Sequence, residues 1–239
     1  NKNVILNTGM GEIILDVICN EKDVIDTFNL ITEYSAYAYE QNMAEGFITI
    51  PGGHRVGIGG YMAGTIYDKP IVRNIRFINF RINHHIKNCS EMIFPKLYKN
   101  KHLCNTLIIS PPGLGKTTLL RDLVNKISEN FAGTSLCVID ERNEISGCYK
   151  GVPTMDLGKR TDVISNCSKS KGILMAIRSM APTLIAVDEI GTAQDIEALE
   201  YANLSGIFII ATVHGKNQAA VIKKLEKDFV DLFEKKICI

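Results

Sequence analysis

Apolar positions fall into two regimes along this chain of 239 residues. Up to about residue 95 they come in short pieces. Gly11–Val17 (GEIILDV) reads as a strand, while Val24, Phe28, Ile31, Tyr34 and Ala38 recur at three-to-four spacing and predict a helix over Asp23–Met43 with Asp23 as N-cap. Gly46–Ile50 and His54–Ile58 read as strands around a Pro51-Gly52-Gly53 turn, and Ile71–Ile82 alternates residue types as a further strand. Residues 1–95 are therefore expected to form a small α+β domain.

Beyond Pro95 and a polar linker, Lys96–Asn105, the apolar residues gather into continuous runs: Thr106–Ile109, Leu136–Asp140, Leu184–Asp188, Ile207–Val213, and a short run near Lys236–Ile239. Helix-like stretches alternate with them at Thr117–Ile127, Cys167–Met180 (closed before Pro182), Asp195–Asn203 and Asn217–Phe229. Strands that are apolar at successive positions are buried on both faces. Residues 96–239 thus predict an α/β domain, a mostly parallel sheet with helices on both faces and right-handed crossovers. The amphipathic stretch Val221–Phe233 is expected to pack on that sheet.

Composition narrows this further. At 46% hydrophobic the chain is globular, and a net charge of +1 gives no global electrostatic case for nucleic acid or anionic lipid. No window approaches the roughly 18–20 apolar residues of a membrane span, so no transmembrane segment is expected. Seven cysteines without a C-x-x-C pair indicate a reducing compartment rather than a disulfide framework or zinc site. The start, Asn1-Lys2-Asn3-Val4, has neither a secretory pattern nor an initiator Met, as expected of a piece of a longer protein.

The chemistry concentrates at strand ends. Ser110-Pro111-Pro112-Gly113-Leu114-Gly115-Lys116-Thr117-Thr118 lies between an apolar strand and a helix, which is the context of a phosphate-binding loop. Pro112 and the backbone N–H groups of Gly113–Thr118 would line a polyphosphate cradle, Lys116 would reach the β/γ oxygens, and the Thr117 hydroxyl would ligate Mg²⁺. Ser110 stands where the pattern has its first glycine. Leu184–Val187 delivers Asp188-Glu189 to a strand end: Asp188 for the metal, Glu189 for the attacking water. Asp140-Glu141-Arg142-Asn143-Glu144 closes the strand after the loop helix, with Glu141 and Glu144 the stronger candidates. Thr212 or His214, ending another strand, would contact the γ-phosphate or the water. Among the arginines Arg142, Arg160 and Arg178, with Arg55, Arg73, Arg76 and Arg81 in the first domain, Arg178 is the foremost candidate of the second domain to stabilise transition-state charge in trans.

The phosphate loop, VIDERNEI (138–145), GCYKGVP (147–153), KRTDVISNC (159–167), ILMAIRSMAPTLIAVDEIG (173–191), ATVHG (211–215) and GFITIPGGHRVGIGG (46–60) together resemble the stage III sporulation protein AA family over essentially the whole chain. That family is similar to type II and type IV secretion ATPases, with an N-terminal domain before a RecA-like P-loop ATPase domain. The resemblance implies ATP and Mg²⁺ as ligands, and Glu141, Glu144, Glu189 and His214 as site residues. It also implies nucleotide-contacting arginines in the first domain, for which Arg55, Arg73 and Arg81 match by position. It implies a hexameric ring, a cytoplasmic location at the inner face of the mother-cell membrane, and docking on a membrane-embedded channel complex that reaches the forespore.

Two other readings stay open from the residues. RecA-like domains also serve nucleic acid, and Arg73, Arg76, Arg81, His84, His85 and Lys87 surround Phe77 and Phe80, although alternation on a strand would split these between faces. A nucleotide-bound scaffold with little turnover is the third.

Overall fold

The computed structural model describes residues 2–44, 46–63, 71–99 and 102–239. The chain divides into two compact units, Asn1–Asn83 and His84–Ile239.

The first unit opens with an antiparallel hairpin of β1 (Lys2–Thr8) and β2 (Gly11–Cys19). Helix α1 (Glu21–Ile31) is started by Asn20, whose side chain accepts from the Lys22 and Asp23 N–H groups while Asp23 accepts from the Asn20 N–H. Asp23 is thus the reciprocating acid of a capping box rather than the cap itself. The helix stops well short of Met43, because Glu33 and Tyr34 take left-handed φ of 51° and 58°. A single 3-10 turn over Ala36–Tyr39 and a short α2 (Glu40–Ala44) replace its second half.

Strands β3 (Phe47–Ile50), β4 (His54–Ala63) and β5 (Ile71–Arg81) form an antiparallel sheet over a small core of Phe28, Met43, Ile48, Ile58 and Val72. A Cβ at Gly60 would lie 2.6 Å from the Asn74 carbonyl oxygen, so only glycine fits where the register shifts. Opposed residues share a face. Val56 faces Phe80 on the core side, whereas Arg55 faces Arg81, and Gly59 faces Phe77, on the other. Phe77 and Phe80 therefore do not make one stacking platform, and Arg76 is ion-paired to Glu21.

The second unit begins earlier than residue 96. The N–H groups of Asn88 and Ser90 and the Ser90 hydroxyl all donate to the buried carboxylate of Asp122, tying residues 88–90 to this unit. Of the expected linker, Asn100 and Lys101 lie outside the described residues; its flanks form a small ladder of β6 (Tyr98–Lys99) and β7 (His102–Leu103).

The main sheet is then laid down by β8 (Thr106–Ser110), α3 (Lys116–Asn130), β9 (Leu136–Asp140), β10 (Thr161–Ser165), α4 (Lys169–Ser179), β11 (Leu184–Val187), α5 (Ala193–Leu204), β12 (Phe208–His214), α6 (Gln218–Leu225), α7 (Lys227–Asp231) and β13 (Lys235–Cys238). All pairings are parallel, in the order β10-β9-β11-β12-β8-β13. Successive side chains alternate between two cores. Ile108, Leu136 and Val138 meet α3 through Leu120, Leu123 and Ile127, while Leu107, Ile109, Cys137 and Ile139 join residues of α4 to α7. Val221, Leu225, Phe229, Val230 and Phe233 are all buried in the second core, so the amphipathic C-terminal stretch covers its own sheet. It is two helices rather than one, because Glu226 takes φ 67° between them.

Candidate nucleotide site

Parallel strands end together, and here β8, β9, β11 and β12 bring the loop, the acidic block, the Asp-Glu pair and the Thr-Val-His run to one sheet edge. They enclose a cavity of about 220 Å³ lined by Gly113, Gly115, Lys116, Thr117, Thr118, Glu144, Asp188, Glu189 and His214.

The loop geometry is that of an anion cradle. Gly113 and Gly115 take φ of 81° and 88°, the left-handed region, and Gly115 caps α3 with no side chain over the helix N-terminus. The first-turn N–H groups of a 15-residue helix are thus open to a ligand. Ser110 is not in the left-handed region, so glycine is not needed there. Its side chain is tucked away, with its hydroxyl donating to the Pro111 carbonyl at 2.8 Å.

Lys116 is buried as a residue, and its ammonium donates to the Pro111 carbonyl at 3.1 Å and to His214 Nδ1 at 2.8 Å. Burial lowers its pKa, and the nearby carboxylates of Asp188, Glu189 and Glu144 oppose that shift. His214 Nε2 lies 2.9 Å from Glu189 Oε1. An Nε2–H tautomer satisfies both contacts, accepting from Lys116 and donating to Glu189. The other oxygen of Glu189 accepts from Arg142 Nη1 at 2.7 Å. Lys116, His214, Glu189 and Arg142 are therefore linked in one polar chain.

Thr117 Oγ1 donates to Asp188 Oδ2 at 2.5 Å. A hydroxyl and a carboxylate meeting beside a phosphate cradle are hard oxygen donors of the kind Mg²⁺ takes alongside phosphate and water, so these residues fit that ion.

The acidic block separates into roles. Asp140 is buried and accepts from the N–H groups of Glu144, Ile145 and Ser146 and from the Ser146 hydroxyl, at 2.5–3.1 Å. Arg121 on α3, also buried, donates to the carbonyls of Ile145 and Glu144 at 2.7 and 2.5 Å. This bracing aims Glu144 into the cavity. Glu141 does not line this cavity but an adjoining one that also touches Glu144, Asp188 and Glu189, and it is ion-paired with the buried Lys169 at the start of α4.

Two further candidates lie away from this cavity. Thr212 is fully buried and does not face the cavity; its hydroxyl accepts from the Glu189 N–H at 2.8 Å and donates to Asp188 Oδ1. Arg178 is exposed in the last turn of α4, whose first turn holds Lys169 against Glu141. An 11-residue helix spans roughly 16 Å, so within one chain Arg178 lies at the opposite edge of the sheet from the loop. Arg55, Arg73 and Arg81 lie in the first unit, Arg55 with its guanidinium 4.7 Å from the Phe47 ring centroid.

Arg121, Lys169 and the clamp by Thr212 were not foreseen. A basic residue inside the helix after a phosphate loop, among apolar neighbours, was the available signal for Arg121.

Sheet order, loop and preceding antiparallel module define a RecA-like P-loop ATPase fold behind a small α+β domain. The Legionella pneumophila ATPase DotB aligns at TM-score 0.55 and 16% identity, over 89% of this chain and 60% of that one. The pilus retraction motor PilT, solved with ADP, aligns at TM-score 0.65 and 16% identity, over 97% and 65%. Within that class the chain belongs to the family "Sporulation stage III, protein AA", whose model matches residues 1–238. Stage III sporulation protein AA of Bacillus subtilis (strain 168) is 40% identical over 197 residues, 81% of this chain but 64% of that protein's length. Uncharacterized protein ycf45 of Cyanidium caldarium is 30% identical over 60% of this chain and 42% of its own. No helix among the described residues is long and apolar enough to cross a membrane.

Proposed function

We propose that the protein is a Mg²⁺-dependent ATP hydrolase of the secretion-ATPase type. The observation that carries this is the meeting of the Thr117 hydroxyl and Asp188 carboxylate beside a glycine-turned phosphate loop whose lysine is already buried in the cavity. The α3 N-terminus and Lys116 hold the β- and γ-phosphates. Thr117 and Asp188 hold Mg²⁺, which when bound neutralises charge on the phosphate oxygens. Phosphate oxygens replace Pro111 and His214 as partners of Lys116. His214, released from the lysine, keeps orienting Glu189 through Nε2–H. Glu189 orients the attacking water and takes its proton, and Glu144 stands across the cavity as a second acid.

Family membership supports the cellular reading: a self-associating, hexameric assembly at the inner face of the mother-cell membrane that energises assembly of, or transport through, a channel complex. Arg55, Arg73 and Arg81 are the arginines proposed to complete the site. ATP hydrolysis measured against protein concentration tests both claims, with Lys116→Ala as control. Specific activity that rises with concentration and vanishes in the variant is expected. Tight nucleotide binding with a flat rate equal to that of the variant would leave a scaffold instead.

A further inference from the structure

Hydrolysis needs Asp188 and Glu189 to point differently although they are neighbours, one toward the metal side of the loop and one toward the water. Strand β11 ends at Val187, and neither acid is held by a strand ladder. Glu189 takes φ 55°, a left-handed backbone that a non-glycine residue keeps only when its surroundings hold it there. Three of the contacts that hold this turn come from one residue of β12. The Thr212 carbonyl accepts from the Ile190 N–H at 2.9 Å. The Thr212 hydroxyl accepts from the Glu189 N–H at 2.8 Å and donates to Asp188 Oδ1. The second oxygen of Asp188 is thereby left for Thr117, at 2.5 Å.

We infer that Thr212 is the positioning residue of this site: its hydroxyl fixes the Asp188 carboxylate for the metal and the Glu189 backbone for the water, without touching nucleotide itself. This rests on the hydrolase reading above. The hydroxyl uses a donor and an acceptor at once, on two groups with opposite needs. Valine, of the same shape, supplies neither and leaves the Glu189 N–H without its partner. Serine supplies both. Thr212 is fully buried, so a role in solvent contact or docking does not compete.

The test uses Thr212→Val and Thr212→Ser beside the wild type, with Thr212→Ala in place of the valine variant should that one fail to fold. ADP is titrated calorimetrically with Mg²⁺ and with EDTA, and ATP turnover is followed against Mg²⁺ concentration. In EDTA all variants should bind ADP alike, because the loop does that work. The tightening that Mg²⁺ brings should shrink about tenfold in Thr212→Val and return in Thr212→Ser. Turnover should fall by roughly one to two orders of magnitude in the valine variant. Equal Mg²⁺ tightening in wild type and valine variant overturns the inference, as does a serine variant that behaves like valine. So does a wild type whose ADP binding ignores Mg²⁺. A wild type that binds Mg²⁺–ADP but never turns over ATP would sink the hydrolase reading and still leave the Mg²⁺ comparison to decide Thr212.

Discussion

The two units of this chain bury their strands to different depths. In the second, Leu107, Ile108, Leu136, Val138, Leu184 and Ile185 are all fully buried, and helices cover both faces of the sheet. In the first, the core among the described residues is a small cluster around Phe28, Ile48 and Val72, and the β1–β2 hairpin exposes Ile5, Leu6, Ile13, Ile14, Val17 and Ile18. A two-stranded hairpin with both faces open gains little from its own burial. The unit with its own double core also holds every site group that meets at the loop. The difference shows where rigidity has been placed. Lys116 opens the buried helix α3, and Glu189 follows the buried strand β11.

The largest way to break this contrast is Glu189→Gln, which should lower ATP turnover by about a hundredfold or more while leaving the melting temperature near wild type. Turnover that survives would move the base elsewhere, Glu144 first. Leu120→Ala, on the fully buried face of α3, should cost about 2–5 kcal/mol in denaturant unfolding.

Asp122 allows a finer test, because it ties residues 88–90 to this unit. Burial pushes its carboxyl up, but the Ser90 and Asn88 hydrogen bonds, with Lys126, outweigh that and hold it below the ordinary range. A depressed carboxylate contributes stability that is present above its unfolded value near 3.9 and lost as pH falls through the folded one. Asp122→Asn should therefore cost about 1–3 kcal/mol at pH 7. The gap from wild type should narrow on acidification below that unfolded value, and a constant gap would mean the charge is irrelevant. The smallest effect belongs to the hairpin. Ile14→Thr, at a residue 62% exposed, should change unfolding free energy by less than about 0.5 kcal/mol. A larger loss would mean that the hairpin is covered in solution.

The same contrast governs what could be read from residues alone. Strands apolar at every position announce themselves, so β8, β9, β11 and β12 were placed with their loops, and the Lys116, Thr117, Asp188, Glu189 and His214 cluster followed from shared strand ends. Edge elements hid. Strand β10, at the sheet margin, has one buried residue, Ile164, among half-buried and exposed ones, and β1 has no buried face to set a period. The α1 stop at Glu33 and Tyr34 is a backbone choice with no glycine to mark it. Within the site, residue types were legible but pairings were not. Nothing in the order of residues says that Glu141 will meet Lys169, or that Thr212 will serve the acids of a neighbouring strand. Those facts come from register, which the sheet decides as a whole.

Register also carries a consequence for how the molecule is made. Strand β8 leads into the phosphate loop, yet both of its neighbours, β12 and β13, lie more than a hundred residues further along the chain. On a ribosome the strand emerges first and waits longest, its N–H and C=O groups unpaired until nearly the whole unit has followed. The nucleotide pocket is therefore among the last features to close during synthesis. A nascent chain arrested before β12 should expose β8 to chaperones and should not retain ATP.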